Sequence, residues 1–137
     1  VFLRVGKAEW HSFGKVARIK RLLCLLRLDK PKTARVNFDA IEEPYPGDAA
    51  YGIYYLVKAE LALHKQQYRD AMQAAVLSLA FENKDIDTFP DALLISAQCY
   101  EELQEWHRAR DVYFEVARIF PSTEWSETAR RRRCRDR

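Results

Sequence analysis

The chain has 137 residues, of which 48% are hydrophobic and 31% are charged, with only 4 glycines and 5 prolines. This length suits one domain, and this composition excludes a disordered, collagen-like or loop-rich chain. The formal net charge of +3 combines a net +8 in residues 1–35, a net −10 in residues 36–129 and a net +5 in residues 130–137. An acidic centre between two basic ends does not by itself indicate a nucleic-acid partner.

The cysteines and the apolar stretches exclude further classes of protein. Cys24, Cys99 and Cys134 form no CxxC pair and are odd in number, so the sequence predicts neither a zinc site nor a complete disulfide framework. The apolar run LLCLLRL falls far short of the roughly 18 to 20 residues that span a bilayer. We therefore expect a soluble chain. Because it begins at Val1 and not at methionine, we expect a processed protein or part of a longer one.

The first predicted hairpin covers residues 15–47 and follows an N-terminal segment, residues 1–14. In VARIKRLLCLLRL the apolar residues recur in steps of three and four, which predicts a helix that ends near Asp29 and Pro31. A second helix is predicted in KTARVNFDAIEE, before the turn sequence PYPGD. The two helices would form a helix–turn–helix hairpin.

The same plan recurs in residues 48–88 and in residues 89–121. AAYGIYYLVKAELALHK and YRDAMQAAVLSLAF predict one pair of helices. PDALLISAQCYEEL and WHRARDVYFEVARIF predict another pair, with Pro90 in a first turn.

The final segment, residues 122–137, is predicted to be a capping helix with a basic tail. Ser122 or Thr123 is expected to cap this helix, because a hydroxyl there can accept a hydrogen bond from a free backbone N–H. The prediction is thus an all-α fold with six helices in three hairpins and one C-terminal helix.

Alanines mark the register of the three hairpins. Ala34, Ala71 and Ala109 each lie early in a second helix, at spacings of 37 and 38 residues. A period in this range is typical of stacked helical repeats. Small side chains let two helix backbones approach closely where they cross, so we expect these alanines to be buried.

The third unit, residues 89–121, resembles the tetratricopeptide repeat, whose pattern is W-x2-L-G-x2-Y, then A-x3-F, then P. It matches at Leu93, Ala97, Tyr100, Ala109, Tyr113 and Pro121. The second unit matches at Tyr55, Ala59, Tyr68 and Ala71, with Asn83 in place of the proline, and the first unit, a degenerate repeat, matches at Leu22, Ala34, Phe38 and Pro46. YFEVARIFPSTEWSETA is similar to the subgroup found in bacterial envelope-assembly and cell-division accessory proteins. The resemblance implies a right-handed α-solenoid of about three repeats that binds or scaffolds other proteins in the bacterial periplasm or cytoplasm.

In tetratricopeptide-like solenoids the first helix of each hairpin lines a concave groove, so the resemblance also implies partner-binding residues. The matched register assigns to the groove Ile19, Leu23, Leu26, Arg27, Leu56, Glu60, Leu63, His64, Leu94, Gln98, Glu101 and Glu102. The lysine and asparagine clamp with which chaperone-binding members hold a carboxylate is missing. An apolar stripe edged by glutamates favours an apolar or amphipathic segment with basic flanks. Equally, residues 1–14 or another part of a longer parent chain would cover this stripe.

Sequence motifs for catalysis are missing. There is no glycine-rich phosphate loop, no G-x-S-x-G turn and no H-E-x-x-H pair. His11, His64 and His107 fall on different predicted elements, where a repeat fold would hold them apart. We therefore expect a non-catalytic protein with no metal site and no cofactor.

Two other functions stay open at this point. The last eight residues, RRRRCRDR, contain six arginines that would attract phosphates, but no aromatic residue is interleaved to stack on bases. Nucleic acid is therefore disfavoured as a partner, compared with another protein, a peptide or another part of the parent chain. The chain would also fit a structural appendage of a larger enzyme.

Overall fold

The computed structural model describes the backbone of residues 7–80 and 88–135 and the side chains of residues 14–80 and 88–133. Within these residues the regular structure is entirely α-helical, as the sequence predicts, and there are seven helices. In chain order, α1 to α7 are Lys7–Arg27, Pro31–Asp39, Tyr51–His64, Tyr68–Ala80, Thr88–Glu102, Trp106–Ile119 and Glu124–Arg135.

The first hairpin departs most from its predicted bounds. α1 begins at Lys7 and not near residue 15, so residues 7–14 belong to this helix, while residues 1–6 lie outside the described part of the chain. Residues 7–14 contain no proline, and a single glycine costs a helix only about 1 kcal/mol. α2 ends at Asp39, before the predicted end at Glu43. The Ile41 N–H closes the last turn on the Phe38 carbonyl at 3.0 Å, and Pro44 disfavours helix at the residue before it.

Turns inside the three hairpins share one backbone conformation. Asp29, Gln66 and Gln104, which follow α1, α3 and α5, have φ angles of 60°, 61° and 62°. In each turn the N–H of the next residue bonds to the carbonyl five residues before it, which is the Schellman arrangement. These bonds measure 3.0 Å for Lys30 to Leu25, 2.9 Å for Gln67 to Ala62 and 2.8 Å for Glu105 to Tyr100. The left-handed residues therefore recur at the same spacing as the alanines.

Each turn is followed by an alanine that lies where the two helices of the hairpin cross. Ala34, Ala71 and Ala109 lie five residues after the left-handed position and are all 0% exposed. The prediction that they are buried is confirmed. Because α1 contacts α2, α3 contacts α4 and α5 contacts α6, a larger side chain at these positions would push the paired backbones apart.

Helices also pack against the helix two places further along the chain. α1 contacts α3, α3 contacts α5, and α5 contacts α7. α3 is enclosed most completely, with nine of its fourteen residues buried. The core divides into one cluster that spans α1 to α5 and includes Ile19 and Leu56, and a second that spans α5 to α7 and includes Tyr113 and Val116.

The chain passes from α6 to α7 through the sequence FPST. The Ser126 N–H donates to the Thr123 hydroxyl at 3.2 Å, so Thr123, one of the two expected residues, caps α7. The ring of Phe120 lies 6.1 Å from that of Phe89 and 6.0 Å from that of Trp125. These aromatic contacts hold the start of α7 against α5.

Candidate functional site

A shallow cavity of about 250 Å³ opens between α3 and α5. We call it the α3–α5 groove. Its lining residues are Glu60, Leu63, His64, Asp91, Leu94, Ile95 and Gln98. Residues 91, 94, 95 and 98 of α5 are spaced by three and four, so they form one stripe on that helix. The lining combines aliphatic side chains with two carboxylates.

Asp91 of α5 contacts side chains from both the first helix, α1, and the last helix, α7. The Arg27 Nη2 atom of α1 lies 2.6 Å from Asp91 Oδ2, and the Trp125 Nε1–H of α7 donates to Asp91 Oδ1 at 2.9 Å. α1 and α5 make no backbone contact in the described residues. The Arg27 side chain therefore reaches past α3 to Asp91.

Glu60 is the carboxylate of α3 that lies in the α3–α5 groove. Burial raises its pKa from the usual 4.5 to about 7, even though the positive charge of Arg27 acts to lower it, while the negative charge of Asp91 raises it further. Across the part of the chain that the structure describes, no hydrogen bond to this carboxylate is present. Glu60 is thus desolvated without a direct partner.

Five of the twelve predicted groove residues meet in this cavity. They are Glu60, Leu63, His64, Leu94 and Gln98. Arg27 lies at the edge, through its ion pair with Asp91. The sequence reasoning missed Asp91, Ile95 and Trp125. The α5 stripe of residues 91, 94, 95 and 98 was a signal for the first two, whereas the Trp125 contact depends on how α7 folds back and had no local signal.

Three predicted groove residues are corrected by the structure. Ile19, Leu26 and Leu56 are 0%, 4% and 0% exposed and belong to the core cluster of α1 to α5. Leu23 is partly buried and packs against that cluster. Since α3 has neighbours on several sides, the apolar face of the first helices serves the core before it serves a groove. Leu56→Asp would therefore place a charge in the core and test folding, not binding.

Glu101 and Glu102 also lie away from the α3–α5 groove. Glu101 accepts hydrogen bonds from the Tyr113 hydroxyl of α6 and from Arg132 of α7. Burial raises the pKa of the Cys99 thiol to about 11, with a further contribution from the nearby Glu102 carboxylate. Glu101 thus joins α5 to α6 and α7, while Glu102 is exposed and lies next to Tyr68 of α4.

A second cavity of about 380 Å³ lies among α2, α3 and α4. Its charged lining comprises Arg35, Lys58, Lys65, Asp39 and Asp70. Three positive and two negative side chains therefore line it. Its volume exceeds that of the α3–α5 groove.

Arginines of the last helix take part in intramolecular contacts. Arg132 bonds to Glu101 at 3.3 Å, and the Arg133 guanidinium lies 5.6 Å from the centre of the Phe114 ring. Arg130 and Arg131 are exposed. The Cys134 side chain lies outside the described residues. Two of the arginines on which the nucleic-acid alternative depended thus face the protein itself.

Neither a metal-ligand cluster nor a membrane-spanning helix is found among the described residues. Among the described residues no three His, Cys, Asp or Glu side chains converge as metal ligands would, and none of the described helices is long and apolar enough to cross a membrane. The chain matches no family model, no curated protein and no solved structure.

Proposed function

We propose that this chain is a tetratricopeptide-like, right-handed α-solenoid that acts as a non-catalytic protein-interaction module. The ligand is an apolar or amphipathic segment with basic flanks, and it binds in the α3–α5 groove. The observation that carries the proposal is the meeting of aliphatic walls and a desolvated carboxylate in one opening.

The repeat assignment is supported by the three matching turns. Asp29, Gln66 and Gln104 recur with the same φ and the same hydrogen bonds, and each lies five residues before a buried alanine. Local structure that repeats together with its register is what stacked hairpins require. The contacts of α1 with α3, α3 with α5 and α5 with α7 are those of first helices stacked side by side.

The ligand class is supported by the chemistry of the groove. Leu63 is only partly buried and offers apolar surface, whose burial contributes about 25 cal/mol per Å². Leu94 and Ile95 also line the opening but are only 9% and 5% exposed. Asp91 is paired with Arg27, so the ionised form of Glu60 adds negative charge to the opening and favours a basic segment over an acidic one. A carboxylate-bearing peptide tail would be rejected.

A matched pair of variants tests the proposal. A random peptide library is panned against the whole chain, and the selected peptides are titrated against Leu63→Gln and Leu79→Gln. Both leucines are partly buried against the same core cluster, but only Leu63 lines the groove. We expect Leu63→Gln to weaken binding by about tenfold or more, through lost apolar burial, and Leu79→Gln to leave it unchanged.

Two results would contradict this proposal. One is that the two variants, shown to be folded by their thermal melts, bind the peptides equally well. The other is that panning yields no peptide whose binding depends on Leu63.

A further inference from the structure

The geometry points to a subsite in the α3–α5 groove for a single cationic side chain, the guanidinium of an arginine or the ammonium of a lysine, supplied by the bound segment and received by Glu60. This inference rests on the proposed function, because it identifies the part of the ligand that this end of the groove recognises. It commits to a basic side chain next to an aliphatic residue as the occupant.

The charges of the groove leave one negative charge without a partner. Asp91 already has Arg27 at 2.6 Å and the Trp125 Nε1–H at 2.9 Å. The Arg27 guanidinium is thereby committed to Asp91, and no described donor is within hydrogen-bond distance of Glu60. A further cation would offset the Glu60 charge in a partly desolvated position, where an ion pair is stronger than in water.

The walls of the groove fit the rest of such a side chain. Leu63, Leu94 and Ile95 surround the opening on α3 and α5. Lysine and arginine bury their methylene stems against apolar surface and keep the charged end for a polar partner. Gln98, one turn further along α5, adds an amide oxygen that can accept a hydrogen bond from the same cation.

Arg27 pairs with Asp91 but does not line the opening. Its side chain is 57% exposed, whereas that of Asp91 is 16% exposed. Because Arg27 does not line the opening, it can stay paired with Asp91 while a further cation binds at Glu60. Arg27 also shows that this face of the chain already accommodates a guanidinium beside a carboxylate.

The test uses the peptides selected by panning against the whole chain. Each peptide is prepared in two forms, one with arginine and one with citrulline at the basic position. Citrulline keeps the shape of arginine but has no charge. Where lysine is selected, it is first replaced by arginine. Affinities are measured for the wild type, for Glu60→Gln and for Glu127→Gln, an exposed carboxylate on α7 that serves as the control. This forms a double-mutant cycle between the ligand charge and Glu60.

We expect the selected peptides to share an arginine or lysine next to an aliphatic residue. Citrulline should weaken binding by about tenfold or more to the wild type and to Glu127→Gln, and have little effect on Glu60→Gln. Equal losses with all three chains would overturn the subsite, as would selected peptides without a shared basic residue. If the subsite is overturned in either way but the selected peptides still bind Leu63→Gln more weakly than the wild type, the proposed binding in the groove is retained and only the subsite is wrong. If no peptide depends on Leu63, both proposals fail.

Discussion

At the scale of single residues, Glu60 has the most unusual environment in the α3–α5 groove. Its carboxylate is desolvated, and its neighbours of opposite and like charge, Arg27 and Asp91, act on it in opposing directions. The remaining titratable side chain that lines the same opening is His64. A carboxylate held in this way destabilises the folded chain whenever it is ionised.

Glu60 is therefore expected to make stability depend on pH. Its pKa is about 7 in the folded chain and 4.5 in its usual range, so between these values the folded chain holds a proton that the unfolded chain has released. Stability then falls as pH rises through this window. Glu60→Gln removes the titration. At about pH 8 the variant should be more stable than the wild type by up to about 3 kcal/mol. The difference should shrink as pH falls from about 7 and be nearly absent below 4.5.

Urea unfolding of both chains across this pH range measures the effect. Arg27, His64 and Asp91 are present in both proteins, so the difference reports on Glu60. A stability difference that stays the same at every pH would show that Glu60 is fully hydrated in the folded chain.

At the scale of elements, the hairpin turns repeat a conformation that their residue types do not favour. Asp29, Gln66 and Gln104 have positive φ angles although none of them is glycine. A side chain at such a position brings Cβ close to the following carbonyl oxygen, which costs roughly 1 to 2 kcal/mol. The Schellman hydrogen bonds and the packing of the next helix hold the backbone in this conformation.

Replacing one of these residues with glycine should therefore stabilise the chain. Gln66 is exposed, so Gln66→Gly removes the strain without loss of packing. The gain should be about 0.5 to 1 kcal/mol, because glycine also has more freedom in the unfolded chain. Thermal or urea unfolding gives the value. Gln73→Gly, at an exposed position inside α4, is the control and should destabilise by about 1 kcal/mol.

A loss of stability in Gln66→Gly would mean that the side chain stabilises the turn. The left-handed conformation would then have a source other than the backbone hydrogen bonds.

Helix bounds show what local sequence predicts and what it does not. α6 begins at Trp106 as predicted, because the run WHRARDVYFEV has a clear helical period. The turn itself, with its left-handed Gln104, was not predicted, since glutamine carries no conformational signal for it. α1 was predicted too short, because the steps of three from Trp10 to Phe13 and Val16, which extend its apolar pattern toward Lys7, were overlooked.

At the scale of the whole molecule, the sequence predicts which helices build the groove better than which side chains line it. Leu63 and Leu94 line the α3–α5 groove, whereas Ile19 and Leu56 lie in the core. Apolar periodicity predicts that a residue lies on an apolar face of its helix. It does not show which of two apolar faces packs in the core and which lines an opening. α3 packs against helices on several sides, so only the tertiary contacts decide which of its residues are exposed.

Two core clusters meet on α5, and this arrangement predicts how the chain opens. Ile95 and Cys99 belong to the cluster of α1 to α5, whereas Leu94 and Ala97 belong to that of α5 to α7. Repeat proteins are stabilised by each unit and by the interfaces between neighbours, so one end can open while the rest stays folded.

Matched valine variants test this behaviour. Val57 and Val116 are both 0% exposed, one in each cluster. Either change to alanine should cost about 2 kcal/mol in unfolding free energy, because it removes buried methyl groups and leaves a cavity. Measured by native-state hydrogen exchange, Val116→Ala should lower amide protection in α6 and α7 and leave α3 and α4 unaffected. Val57→Ala should lower protection in α3 and in the helices packed on it. Equal loss of protection in every helix with both variants would mean that the chain opens as one cooperative unit, which would count against stacked repeats.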